Sequence, residues 1–217
     1  MNTALKQHNK NHLRAAQLKE LEILKAIDQV CRNNDIPYWL DSGTLLGAVR
    51  HGGFIPWDDD VDICIPLEDI PRFVEAAKKE LQRRVRVALE AMGIHAASCA
   101  REEIQKNPSR IDTGLLRNSI THAMDGGETA IKSYSASNPS KYDGKTPDDG
   151  SYSGTMPEEG AGRAAVYVGS NVSYGIFVHE GFDLPSGKHV PPNRFIKNGI
   201  ENNKSELSAI ERKYIDY

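Results

Sequence analysis

Several kinds of protein are excluded by what this chain lacks. No apolar run approaches the roughly 20 residues a helix needs to cross a bilayer, so no membrane span is expected. The opening stretch, MNTALKQHNKNHLRAAQ, is polar and carries no signal-peptide core, so no secretion by that route is expected. The three cysteines, Cys31, Cys64 and Cys99, are odd in number and widely spaced. That fits buried thiols in a reducing compartment, hence a cytoplasmic expectation, better than a disulfide frame or a zinc site. A net charge of −3 gives no electrostatic case for binding nucleic acid. No HExxH, CxxC, P-loop or Rossmann pattern appears. Ser119 and Ser173 lack a G-x-S-x-G elbow, and His122 and His189 have no partner pattern. His179-Glu180, in an apolar turn, reads as a packing or interface feature before a catalytic one.

What is present is an ordinary globular composition, 39% hydrophobic and 26% charged over 217 residues, enough for one large domain or two small ones. The first half is organised around Asp41 to Ile65, DSGTLLGAVRHGGFIPWDDDVDICI. Gly43-Thr44 is expected at a strand-to-helix turn. After it come Asp58, Asp59, Asp60 and Asp62, the last two alternating with Val61 and Ile63. On a strand, alternate side chains share a face, so Asp60 and Asp62 are expected to point the same way. Paired carboxylates repel one another, and a hard cation such as Mg²⁺ relieves that repulsion. A cation there would clamp phosphates. The bland alternative is a solvated acidic turn.

The elements around this stretch follow from periodicity. Leu18, Leu21, Leu24, Ile27 and Cys31 recur at helical spacing, and the helix is expected to stop at Asn33-Asn34-Asp35 before Pro37. Tyr38-Trp39-Leu40 reads as a short buried strand. Thr44 to His51 reads as a helix closed by Gly52-Gly53. Its N-terminal amides could meet a phosphate, although a plain cap by Ser42 or Thr44 is the simpler role. A further helix after Pro66 turns Phe73, Val74, Ala77 and Leu81 inward. Val85 to Lys106 is helical again, with Val85, Ala88, Leu89, Met92, Ala96, Cys99 and Ile104 as its stripe. No linker separates these two, so the join is one long helix or two in tandem, stopped at Asn107-Pro108-Ser109.

These residues, 15 to 84, resemble the opening of the LicD family, whose members are nucleotidyltransferase-like and move phosphocholine or a related phosphoryl-linked group onto a surface glycan. The Gly-Thr turn, Arg50-His51-Gly52, Pro56-Trp57 and the Asp cluster occur together in order. The resemblance implies that Asp60 and Asp62 bind Mg²⁺ and act catalytically. It implies that Gly43 and Thr44 touch the phosphates of a cytidine nucleotide. Arg50 would contact phosphate, or equally form a salt bridge to the Asp cluster. Family members continue past this point with further strands and a third acidic residue, so residues 1–84 are expected to be a truncated module.

The second half has a different texture. Asp112 or Thr113 can cap a short turn relaxed by Gly114, and Ser119 to Met124 reads as a strand. Residues 125–163 are rich in Gly, Ser, Pro, Asp and Tyr and are expected to form a mobile excursion. Arg163 to Ser170 is a strand, Tyr174 to Gly181 an apolar turn or short helix, and Asp183 to Lys188 a polar loop. Pro191-Pro192-Asn193 opens one last helix with Phe195, Ile196, Ile200, Leu207, Ile210 and Tyr214 inward. With its IDTGLLRNSI, AVYVGSNVSYGIFVHEG and VPPNRFIKNGI segments, this half is similar to the siphophage tail-completion family of head–tail joining proteins. That resemblance implies no enzyme. It implies self-association into a ring, neighbouring phage neck and tail proteins as partners, and a virion-associated location. The expected fold class is α+β: a truncated nucleotidyltransferase-like α/β fragment at 1–84, joined through helix to a small α+β domain at 85–217 with an antiparallel sheet packed against two helices. The leading functional expectation is a fusion whose C-terminal domain serves virion morphogenesis. The alternative is a metal-dependent LicD-type transferase.

Overall fold

The computed structural model describes residues 3–106, 111–156 and 164–215. The expected helix stop at Asn107-Pro108-Ser109 lies outside them. The chain divides into two compact units, one up to Arg83 and one from Arg84. Among the described residues the sheets are four two-stranded antiparallel ribbons, so the class is α+β.

In the N-terminal unit, α1 (Thr3–Asn33) presents Gln17, Leu21 and Leu24 on one side and buries Val30 and Cys31 near its end. Asp35 then turns into the left-handed region at φ 50°, and the Ile36 amide bonds back to the Cys31 carbonyl at 2.9 Å. This reversal buries Ile36 and aims the chain into β1 (Trp39–Leu40). Helix α2 (Ser42–His51) follows, closed by Gly52 at φ 64°. β2 (Ile63–Cys64) pairs antiparallel with β1, Trp39 opposite Cys64. β1 is not the buried strand expected: Trp39 is 52% exposed. A ribbon two residues long covers only one face of its residues.

A 3₁₀ turn at Leu67–Asp69 leads into α3 (Ile70–Gln105), a single unbroken helix of 36 residues. The unit boundary falls within it. Val74 and Leu81 are exposed on α3, contrary to the inward face expected. A 3.6-residue period finds an apolar stripe whether or not anything lies over it.

In the C-terminal unit the α3 stripe is filled: Ala88, Ala96, Ala97, Cys99, Ala100 and Ile104 are buried. Gly114 (φ 79°) starts α4 (Leu115–Ser119), whose Leu115 amide bonds the Thr113 hydroxyl at 3.3 Å. β3 (Thr121–Met124) runs antiparallel to a later strand, Val166–Gly169. Between them lies a hairpin of β4 (Ser133–Tyr134) and β5 (Gly150–Ser151). The described part of 125–163, residues 125–156, carries this hairpin. The anchor is Tyr152, which donates its hydroxyl to the Ser119 carbonyl at 2.6 Å and accepts the Asn171 amide at 3.1 Å.

The strand Val166–Gly169 is β6, and α5 spans Gly175–Glu180. The polar loop expected at 183–188 is the turn of a hairpin, β7 (Phe182–Asp183) against β8 (His189–Val190). The last helix is two, α6 (Phe195–Glu201) and α7 (Lys204–Ile215). The break falls at Asn202-Asn203, and asparagine is a weak helix former. The Asn203 side chain instead bonds the Gly199 carbonyl at 2.8 Å. The core gathers Ala97, Ala100, Ile104, Leu116, Ile120 and Phe195, with Val168, Val178 and Ile196 packed onto it. α6 reaches α3 backbone to backbone, because a Cβ on Gly199 would lie 2.8 Å from the Ala100 nitrogen.

Candidate functional site

The two halves of the acidic segment are held by different elements. At its start, the buried Gln17 of α1 donates its amide to the Asp58 carbonyl at 2.8 Å and the Ile55 carbonyl at 3.2 Å. At its end, the Asp62 amide donates to the Thr44 hydroxyl at 2.8 Å, and the Asp41 amide to the Asp62 carbonyl at 3.0 Å. The segment is thus laid across the first turn of α2. Gly43 makes room for it: a Cβ there would sit 2.5 Å from the Asp58 carboxylate. The entry into α2 is tight, with Ser42 at φ 45°, a value few non-glycine residues adopt.

A cavity of about 430 Å³ opens between these parts. Arg14, Gly43, Thr44 and Asp58 supply its polar lining, and Leu21, Leu24, Leu40, Phe54, Ile55 and Val61 are among its apolar walls. Beside it, Asp58, Asp59 and Asp60 bring carboxylate oxygens within 4.8 Å of one another. The Asp58 carboxyl is pushed above its ordinary value. Desolvation is the largest cause, followed by the charge of Asp60, a hydrogen bond with Asp60, and the charges of Asp59 and Asp62. Crowded carboxylates of this kind fit a hard divalent cation, which would remove the repulsion they suffer alone.

The expected site residues are distributed as follows. Asp60 joins the cluster, but with Asp58 and Asp59 and not as a strand-face pair with Asp62. The strand is the reason: β2 begins at Ile63, so the alternation that pairs Asp60 with Asp62 does not apply. Asp62 contributes its charge at Asp58 and its backbone to the anchor. Gly43 and Thr44 do line the cavity. Neither Ser42 nor Thr44 caps α2; the N-cap is Asp41, which makes no side-chain cap bond but accepts the Cys64 thiol at 3.4 Å. Arg50 is exposed near the other end of α2. It is absent from the cavity lining, and among the described residues it forms no salt bridge to the Asp cluster.

Arg14, Gln17, Asp58 and Asp59 were missed as site residues. Gln17 had a signal: with Leu21 and Leu24 it stands at i, i+4, i+7, a polar residue on an apolar stripe. His179 conforms to the packing role. Its ring lies edge-on to Phe195 at 5.2 Å, and Nδ1 is 2.7 Å from Glu180. His122 and His189, partnerless by pattern, pair with Glu90 at 2.9 Å and Asp183 at 2.8 Å.

Residues 35–105 match the LicD/FKTN/FKRP nucleotidyltransferase domain family. The match runs past Arg84, further than the resemblance read from the sequence. The lipopolysaccharide cholinephosphotransferase LicD of Haemophilus influenzae is 48% identical over 63 residues, which are 29% of this chain and 24% of that protein. The human ribitol 5-phosphate transferase FKRP is 63% identical over 35 residues, 16% of this chain and 7% of that protein. The mouse ribitol-5-phosphate transferase FKTN is 40% identical over 48 residues, 22% of this chain and 10% of that protein. The chain therefore spans a quarter or less of the length of these relatives. No solved structure matches. The family match does not reach residues 106–217, so the tail-completion resemblance of that half draws no support from it. No helix among the described residues is long and apolar enough to cross a membrane.

Proposed function

We propose that the N-terminal unit is the donor-binding part of a LicD-type phosphoryl-group transferase. The substrate class is a cytidine nucleotide carrying phosphocholine or a related phosphoryl-linked group, and the acceptor is a glycan hydroxyl. The observation that carries this reading is the convergence of Gly43, Thr44 and Asp58 on one cavity, beside a carboxylate cluster, inside the stretch that matches the family. Asp58, Asp59 and Asp60, with Asp62 nearby in charge, would hold Mg²⁺, whose contribution is to neutralise donor phosphates. The chain's own part is positional. Gln17 and Thr44 fix the acidic segment, and Gly43 leaves the first turn of α2 open to an oxygen-rich ligand. Titration calorimetry with Mn²⁺, then with cytidine diphosphate, tests this. The wild type is expected to bind both, and Asp58→Asn/Asp60→Asn to lose at least about tenfold in Mn²⁺ affinity, because hard-cation affinity follows the number of charged oxygens. Wild type that takes up no Mn²⁺ would sink the reading.

We propose a second, non-enzymatic role for the C-terminal unit, which closes its own core around Ile120 and Phe195. The tail-completion resemblance of the sequence motivates this reading, in which the role is assembly of a ring at a phage neck. Light scattering of the full chain over a concentration series is expected to give one discrete oligomer. A monomer throughout would remove this second reading and leave the first untouched.

A further inference from the structure

The cavity contains one basic group that the family match does not assign. Arg14 lies on α1, upstream of residue 35 where the match begins, yet it lines the same cavity as Gly43, Thr44 and Asp58. It is the sole Lys or Arg among the described lining residues. Its Nη1 donates to the neutral Gln17 side-chain oxygen at 3.2 Å. No carboxylate comes within salt-bridge distance of it among the described residues, although Asp58 shares the lining. A guanidinium offers five N–H donors in a rigid fork matched to phosphate oxygens. One is used on Gln17, which leaves four for a ligand that reaches this exposed side chain.

Gln17 also sets where that fork stands. Its oxygen takes Arg14, and its amide nitrogen holds the carbonyls of Ile55 and Asp58. One buried side chain therefore fixes the cation and the start of the acidic segment together. A ligand entering here meets a cation tied to α1, carboxylates suited to a metal, and apolar walls from Leu21, Leu24, Phe54 and Ile55. That combination suits a phosphorylated ligand with an uncharged nucleoside portion. Arg50, also exposed but outside the lining, is not placed to do this.

We infer that Arg14 is a phosphate-binding residue of this cavity, taking an oxygen of the nucleoside diphosphate while Gln17 holds it in register with the acidic segment. The inference rests on the proposed donor-binding function. The test is binding of cytidine diphosphate to the full chain with Mn²⁺ present, and of Mn²⁺ alone. Arg14→Gln is expected to bind the nucleotide about tenfold or more weakly, the scale of one lost charge-assisted hydrogen bond, while still taking up Mn²⁺. Arg14→Lys, which keeps the charge and loses the fork, is expected to recover part of the affinity. It also serves as the second variant if the glutamine form does not fold. Arg32→Gln removes the same charge from α1 at its exposed pair with Asp28 and is expected to bind as wild type. Unchanged nucleotide affinity in Arg14→Gln overturns the inference and leaves the donor-site reading standing. Wild type that binds Mn²⁺ but no nucleotide overturns both. If unphosphorylated cytidine weakens as much as the diphosphate, Arg14 holds the base instead and the inference fails.

Discussion

Phe195→Ala is expected to cost the C-terminal unit about 3–5 kcal/mol, the range for deleting a buried aromatic ring. Phe195 is 1% exposed and shares a core with Ile104, Leu116 and Ile120, and the His179 ring stands edge-on to it. The void left behind is hard to close. α6 already touches α3 through backbone at Gly199 and Ala100, so the helix cannot move inward to fill it. Domains of this size hold only about 5–15 kcal/mol in total, so the loss removes much of the margin. Urea unfolding followed by tyrosine fluorescence checks it, since Tyr134, Tyr152, Tyr167 and Tyr174 all lie in this unit. Mn²⁺ uptake at the N-terminal cluster is expected to survive in Phe195→Ala. If it is lost as well, the two units fold as one.

How far the sequence carried depends on what each signal measures. Helical periodicity found α1 and the buried stripe of α3, although Leu18 of the α1 stripe is 47% exposed. The same periodicity misjudged Val74 and Leu81, which are exposed. Strand logic fared worse. Alternation paired Asp60 with Asp62, but the residues before Ile63 are not strand, and the carboxylate cluster assembles from Asp58, Asp59 and Asp60. The Gly-Thr turn was legible from two adjacent residues. Gln17 and Arg14 were not, since they reach the cavity from an element roughly 40 residues earlier in the chain, and no local pattern encodes that distance. The stretch from 125 looked structureless because its composition is that of turns. Its order comes from single anchors such as Tyr152 on Ser119, which composition does not register.

Two glycines of α2 separate folding from binding in the N-terminal unit. Gly47→Ala is expected to destabilise that unit by about 1–3 kcal/mol, the cost of overpacking a filled site. Its Cβ would lie 2.5 Å from the Gly53 carbonyl oxygen and 2.9 Å from the Ile55 amide. Both are backbone, so no rotamer change relieves the clash and residues 53–55 must shift. Alanine is otherwise the better helix former by about 1 kcal/mol, so a net loss of stability identifies the contact as the cause. Because Gln17 ties Ile55 to Asp58, the shift is expected to reach the acidic segment and weaken Mn²⁺ binding too.

Gly43→Ala behaves differently. Its Cβ would meet the Asp58 carboxylate, the tip of a side chain that can turn away, so the thermal midpoint is expected to change little. The carboxylate must leave its place to do so, and Mn²⁺ affinity is expected to fall about tenfold, the loss of one charged oxygen ligand. Thermal melts and Mn²⁺ calorimetry on both variants separate the cases. Wild-type Mn²⁺ affinity in Gly43→Ala would mean that Asp58 is not a ligand. The metal would then be left to Asp59 and Asp60, and the crowding at Asp58 would be a structural feature of the turn.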